Sequence, residues 1–219
     1  MIYQTFVILN HNRAEFIDRA IRSCLGQLYL RKNFEVIVID DNSNDNSLEI
    51  ISEFKKEIKL IKNKKRMGVG YCSNQALKIS KGKYWMRVDS DDFLNSMAGP
   101  LTSMILDEDI NISYVYNDYY KVNLKGTKIE KISLKNIETR LEYGAGVNFR
   151  TSVLRKIGGY NSKLKNCEDF DLLMRLEQKR NKGFYLPIPL YRYYIHGKNI
   201  TLKKDRELIK DKLKRKYGI

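Results

Sequence analysis

Three carboxylates fall within four residues in Asp89-Ser90-Asp91-Asp92, directly after the apolar run Tyr84 to Val88. Such a run reads as a buried strand, so the acids lie where the strand ends and its loop begins. Clustered carboxylates repel one another and raise each other's pKa unless a cation sits among them. A hard divalent ion takes oxygen ligands and commonly keeps substrate phosphates in its shell. The run is therefore a candidate cation and diphosphate site, and the plain alternative is a solvated acidic turn.

The elements that would position these acids are legible around them. Phe34 to Ile39 is a second short β-branched run, ending in Asp40-Asp41-Asn42-Ser43-Asn44-Asp45, and helical spacing follows over Ser47 to Lys55. Thr5 to Leu9 leads into Asn10-His11-Asn12-Arg13. The next segment places Phe16, Ile17, Ala20, Ile21, Cys24 and Leu25 on one helix face, with Asn12 and Glu15 spaced as a capping box. The first half reads βαβαβαβ, with strands near 3–9, 34–39, 58–62 and 83–88 and helices near 14–25, 46–55 and 70–80. That alternation predicts a parallel sheet covered on both faces, with right-handed crossovers bringing the polar loops to one edge. Ligands of open α/β sheets bind at that carboxyl edge. Beyond Asp92 the pattern loosens: a helix is expected near 97–107 and a strand at 111–116, with short strands around Lys121-Val122, Lys128-Ile129 and Gly146 to Phe149.

Taken together, the motifs resemble the family 2 glycosyltransferases of the GT-A fold. The resemblance is carried by Val7 to Arg13, Ala20 to Gln27, Glu35 to Asp45, Gly68 to Leu77, Lys81 to Tyr84 and Asp89 to Asp92, then by Ile157 to Tyr160 and Glu168 to Leu176. It implies an α/β, mixed but mostly parallel sheet flanked by helices, as in nucleotide-diphospho-sugar transferases. It implies an inverting sugar transfer from a nucleoside diphosphate, UDP being the best fit, to a glycan or lipid-linked saccharide in surface polysaccharide synthesis. By the same resemblance Asp41 binds the base with Asp40 close by, Asp91 faces ribose or sugar, and Asp89 belongs to the donor site. Leu9, Asn12 and Asn74 complete the donor site. Asp92, with Asp91, holds Mn²⁺ or Mg²⁺ against the diphosphate, and His196 stands where some relatives place a late metal-proximal histidine. Asp169 is the general base for the acceptor hydroxyl. Relatives often carry Arg before the position of Asn74; here it is Ser73, and Arg66 on the preceding loop is the substitute cation for the phosphates.

Several of these residues have duller roles open to them. Glu168 and Asp169 at a helix start complement the helix dipole, and Asp40 to Asp45 suits a turn leading to a helix cap. His11 and His196 fit structural hydrogen bonding as well as ligation. Gly68-Val69-Gly70 lacks the P-loop Lys-Ser/Thr ending and reads as a turn into the next helix. Trp85 lies inside a strand and reads as core. The tyrosines at 114, 116, 119 and 120 suit either a strand or an acceptor-sugar surface.

A chain of 219 residues fits one domain. Residues 1–95 form its nucleotide half, 96–200 its acceptor half and 201–219 a basic helical tail. Apolar runs fall short of the roughly 20 residues a spanning helix needs, and Met1-Ile2-Tyr3-Gln4 does not open a signal peptide. The cysteines Cys24, Cys72 and Cys167 suggest reduced thiols and a cytoplasmic protein. A formal charge of +15 is concentrated partly in Lys203 to Lys216, a segment suited to the anionic inner face of a membrane. The competing readings are a catalytically degenerate nucleotide-binding protein of the same fold, a nucleotidyltransferase and a basic nucleic-acid-binding protein. A nucleotidyltransferase would show a Gly-rich, Arg/Lys-bearing loop where this chain has Asn10 to Arg13. No groove-reading motif is visible for a specific nucleic acid.

Overall fold

The computed structural model describes residues 2–136, 144–196 and 205–218. The first half alternates strictly: β1 (Gln4–Asn10), α1 (Ala14–Leu25), β2 (Phe34–Asp40), α2 (Ser47–Glu53), β3 (Lys59–Lys62), α3 (Val69–Ile79) and β4 (Tyr84–Asp89). Then come β5 (Phe93–Leu94), α4 (Ala98–Glu108), β6 (Ile112–Val122), β7 (Lys128–Ile132), β8 (Asn148–Arg150), α5 (Thr151–Lys156), α6 (Glu168–Gln178), β9 (Lys182–Tyr194) and α7 (Asp205–Tyr217). The strands form one mixed sheet ordered β3-β2-β1-β4-β8-β6-β9-β5, with β7 paired to β6. β3, β2, β1 and β4 run parallel. β8 enters antiparallel between β4 and β6, with Trp85 opposite Phe149.

Why these residues make a two-faced sheet follows from their alternation. Phe6 and Ile8 of β1, with Val36 and Val38 of β2, pack against Ile17, Ala20, Ile21 and Cys24 of α1. Val7, Ile37 and Ile39 point the other way, toward Cys72, Ala76 and Leu77 of α3 and Phe170, Leu173 and Leu176 of α6. A period of two in a strand sends neighbours to opposite faces, so near-continuous apolar runs mark a sheet covered on both sides. Trp85 is fully buried in the second cluster. All three cysteines are buried and free.

Three expectations change. The Asn12–Glu15 capping box does not form. Instead α1 is capped from the β2–α2 loop, the Ala14 amide donating to Asp45 Oδ2 at 3.0 Å and the Arg13 amide to Ser47 Oγ at 3.1 Å. Asn12 adopts a left-handed φ of 52° and uses its Oδ1 to accept from the Asn44 amide. The expected strand at 111–116 continues to Val122, carrying Tyr114 and Tyr116 into the core while Tyr119 and Tyr120 stay half-buried. Finally β9, thirteen residues long and parallel to β6, occupies a stretch in which Pro187 and Pro189 mask the strand pattern.

In the tail, α7 lays Leu213 into the core beside α6, and Lys216 and the Tyr217 hydroxyl reach Asp171. Leu202, Lys203 and Lys204 lie outside the described residues. Among the described residues no helix is long and apolar enough to cross a membrane.

Candidate active site

The carboxyl ends of β1, β2 and β4 form one edge, because Asn10 pairs with Asp40 and Leu9 with Asp89 across the ladders. Asp40 is buried at that edge and works inward. Its oxygens accept from the Ser43 amide and hydroxyl and from Asn10 Nδ2, which folds the β2–α2 loop back on itself. Asp41, next along, faces the β3–α3 loop. It accepts from Asn63 Nδ2 at 2.9 Å, from the Met67 amide at 2.8 Å and from the Gly68 amide at 2.8 Å. Burial works to raise its pKa, but these donors outweigh it and hold the carboxylate below its usual value. Gly68 donates while at φ +89°, a conformation open to glycine and strained for other residues.

The acids after β4 divide by partner. Asp91 Oδ2 accepts from Arg13 Nε at 3.0 Å and lies 3.0 Å from His196 Nε2. That imidazole stacks on Phe16 and Tyr194, with ring centroids 5.7 and 5.2 Å away. Asp92 is 1% exposed, and β9 takes both its oxygens: the Tyr191 hydroxyl donates to Oδ2 at 2.9 Å and the Tyr194 amide to Oδ1 at 2.8 Å. The same Tyr191 hydroxyl accepts from the Asp89 amide at 3.1 Å. Asp92 thus ties the loop to β9, and Asp91 is the carboxylate left beside the histidine.

Below them β4 carries Arg87, whose side chain is 3% exposed and meets three acids. Its Nη2 donates to Asp169 Oδ2 at 2.7 Å, Nη1 faces Glu168 at 3.3 Å and Nε lies 3.2 Å from Asp89. Burial opposes its charge, but the three carboxylates hold its pKa well above the usual arginine value. Burial pushes Glu168 up to about 7, with Asp169 adding to the rise and Arg87 opposing it. Asp89 is pushed up to about 6 by burial against the pull of Arg87, and Asp91 and Asp169 add to it. Glu168 and Asp169 open α6 because Cys167 turns the chain there at φ +61°, uncommon for a non-glycine residue.

Other sequence-predicted donor residues are placed differently. Asn74 exchanges two 2.8 Å hydrogen bonds with the backbone of Tyr160, which commits its side chain to joining α3 to the segment before α6. Ser73 is fully buried, and Arg66 is exposed on the loop whose next two amides hold Asp41. Leu9 is half-buried at the end of β1. Arg87, Tyr191 and Gly144 escaped the sequence reading. The signal for Arg87 is a lone charge in an otherwise apolar strand. Tyr191 and Gly144 have no local signal, since their partners are distant in sequence.

A divalent cation fits this edge as a shared ligand. Asp91 and His196 supply one oxygen and one nitrogen donor at hydrogen-bond separation, a set compatible with Mn²⁺. Among the described residues no group of three or more His, Cys, Asp or Glu side chains converges on a cation position. A cation there would complete its shell with phosphate and water oxygens, as such ions do in nucleotide sites.

Comparison with known proteins agrees with this geometry. The family described as Glycosyl transferase family 2 matches residues 5–158. The chain is 28% identical over 206 residues to hyaluronan synthase of Pasteurella multocida, covering 89% of this chain and 20% of that protein. It thus spans about a fifth of that relative's length. The UDP-Glc:alpha-D-GlcNAc-diphosphoundecaprenol beta-1,3-glucosyltransferase WfaP of Escherichia coli is 28% identical over 220 residues, covering 94% and 82% of the two chains. Among solved structures, S. aureus TarS 1-349 in complex with UDP-GlcNAc superposes with a TM-score of 0.78 at 21% identity, covering 90% of this chain and 60% of that one. A mannosyltransferase of Pyrobaculum calidifontis in complex with GDP-Man and Mn²⁺ gives 0.74 at 15% identity, covering 90% and 58%. With its mixed sheet, its acid-lined edge and a family match over most of its length, this chain belongs to glycosyltransferase family 2 and has the GT-A fold.

Proposed function

We propose that this glycosyltransferase moves a hexose from a UDP-linked donor to a hydroxyl of a glycan or lipid-linked saccharide, inverting the anomeric carbon. The observation that carries the reading is the convergence on one sheet edge of the Asp41 clamp, the Asp91–His196 pair and Asp169. An ionised carboxylate offers about four acceptor positions, and three of those on Asp41 are taken by Asn63, Met67 and Gly68. The Cys72 side chain also hydrogen-bonds this carboxylate, so the imide N–H of a uracil would share a position there.

Asp91 and His196 hold the cation in this reading, in place of Asp92, which β9 buries and bonds at both oxygens. A divalent ion bound there acts as a Lewis acid for the departing diphosphate, so no protonated carboxyl is needed on that side. Asp169 takes the acceptor's proton as the new bond forms, and its mounting on the packed helix α6 limits its wandering. The named donor and acceptor of the E. coli relative support UDP-glucose and a diphospholipid-linked sugar as first substrates to try. An amphiphilic acceptor also suits attachment at the inner face of a membrane through the exposed Lys212 and Arg215 of α7.

Calorimetric titration with UDP, dTDP, GDP and CDP, each with Mn²⁺ and with EDTA, tests the site. UDP alone should bind, tenfold or more tightly with the cation. Binding of no nucleotide in either condition overturns the reading.

A further inference from the structure

The environment of Asp169 goes beyond what an acid at a helix start requires. Its Oδ2 is gripped by Arg87 Nη2 at 2.7 Å. Behind the carboxylate runs the backbone of Gly144, so close that a Cβ there would stand 2.2 Å from Asp169 Cγ. Its Oδ1 is buried and has no partner among the described residues. The Arg87 guanidinium faces Asp89, Glu168 and Asp169, and its carbon lies 5.7 Å from the centre of the Tyr160 ring. Burying an arginine costs several kcal/mol of desolvation and gives little net stability. A buried acceptor without a donor asks for a reason.

We propose that Arg87 is a positioning residue of the transfer reaction, holding the Asp169 carboxylate in one orientation against the Gly144 backbone so that it meets the acceptor hydroxyl. The inference rests on the transferase reading above. In the step itself the acceptor O–H gives its proton to Asp169, and its oxygen pair forms the bond to the anomeric carbon. The bond to the diphosphate oxygen breaks, and that pair leaves with the nucleoside diphosphate. Asp169 then returns its proton to water. Without the guanidinium, Asp169 Oδ2 loses the donor that fixes its orientation, and the carboxylate is free to turn away from the acceptor.

The test compares the full-length wild type with Arg87→Met, Arg87→Lys, Glu168→Gln and the pair Arg87→Met/Glu168→Gln. The last removes one buried carboxyl should Arg87→Met fold poorly. UDP binding with Mn²⁺ is read by calorimetry. Turnover is read as UDP release from UDP-glucose and UDP-GlcNAc, with a GlcNAc-diphospholipid acceptor, across pH 5 to 9. In Arg87→Met and in the pair, UDP affinity should stay within about threefold while kcat falls about 100-fold, the scale of general-base loss. Arg87→Lys should recover about tenfold in kcat by restoring a donor to Asp169 without the fork. A folded Arg87→Met or double variant with kcat within threefold of wild type overturns the proposal. So does a loss that follows melting temperature alone, with no recovery in Arg87→Lys. A wild type that binds UDP and transfers nothing sinks the transferase reading instead, and the Arg87 role with it.

Discussion

Tyr191→Phe isolates the bond network that shapes the cation loop. The ring of Tyr191 is fully buried and lies against Gly146, and phenylalanine keeps that ring, so no cavity opens. What disappears is one hydroxyl that donates to Asp92 Oδ2 and accepts from the Asp89 amide. Burial and the neighbouring acids push the Asp92 carboxyl well up, so the bond to it is worth the roughly 0.5–1.5 kcal/mol of an ordinary hydrogen bond, and stranding a buried amide costs about 1–3 kcal/mol. The two overlap, since relaxation serves both, so the expected loss is about 1–3 kcal/mol. For a chain of this size each kcal/mol lowers Tm by about 2–4 °C, giving a drop on the order of 5 °C.

The assay is thermal and urea unfolding of wild type, Tyr191→Phe, Asp92→Asn and the double variant at one pH. Contacting residues in one network couple by about 0.5–3 kcal/mol, so the double variant should lose at least 1 kcal/mol less than the sum of the singles. A Tyr191→Phe loss under about 0.5 kcal/mol, or strict additivity with Asp92→Asn, would refute the account of Asp92 as an anchor to β9. The same variants bear on the cation: Asp92→Asn should keep Mn²⁺-dependent UDP binding within about tenfold if Asp91 is the ligand.

Three further outcomes follow from named contacts. Asp91→Asn should abolish the difference between UDP titrations with Mn²⁺ and with EDTA; an unchanged difference removes Asp91 from the cation site. Asn74→Ala leaves the Tyr160 backbone without two partners and should cost about 1–3 kcal/mol in urea melts with UDP affinity unchanged. Tenfold weaker UDP binding at normal stability would return Asn74 to the donor site. Glu168 has a folded pKa raised from 4.5 to about 7, so its contribution to stability is full below about 4.5 and is lost as pH rises through about 7. Glu168→Gln should flatten the decline of Tm between pH 5 and 8, and an unaltered slope would show that Glu168 does not titrate there.

The first half of the fold was legible because each strand of a two-faced parallel sheet is a dense apolar run, and Asn/Asp loops punctuate it. The strands expected near 34–39 and 83–88 appear as Phe34–Asp40 and Tyr84–Asp89, and the helix expected near 14–25 as Ala14–Leu25. Less was legible where partners are remote. The cap of α1 comes from Asp45 and Ser47, more than thirty residues away. The helix pattern alone therefore favoured the local Asn12–Glu15 alternative. β9 pairs parallel to β6 through two register shifts, and neither shifts nor prolines leave a clean period of two. In the site, the acids were visible from their clustering, but their division of labour was not. Asp91 and Asp92 are adjacent and chemically identical, and only the arrival of β9 distinguishes them, burying Asp92 while Asp91 stays partly exposed.

That dependence on β9 is also the argument for how the site coheres. Tyr191, the Tyr194 amide and His196 all belong to β9 or the two residues after it, and they meet Asp89, Asp92 and Asp91 respectively. The proposed cation edge is therefore split between a loop near residue 90 and a strand about a hundred residues later, joined where β5 pairs antiparallel to β9 through Phe93–Arg192 and Leu94–Tyr191. The proposed base is likewise split, Asp169 coming from α6 and its guanidinium partner from β4. Each half brings buried charge that the other half compensates, and an uncompensated buried charge costs several kcal/mol. Docking of the later elements onto the parallel block thus both stabilises the fold and creates the chemistry, and Tyr191→Phe should loosen the two together.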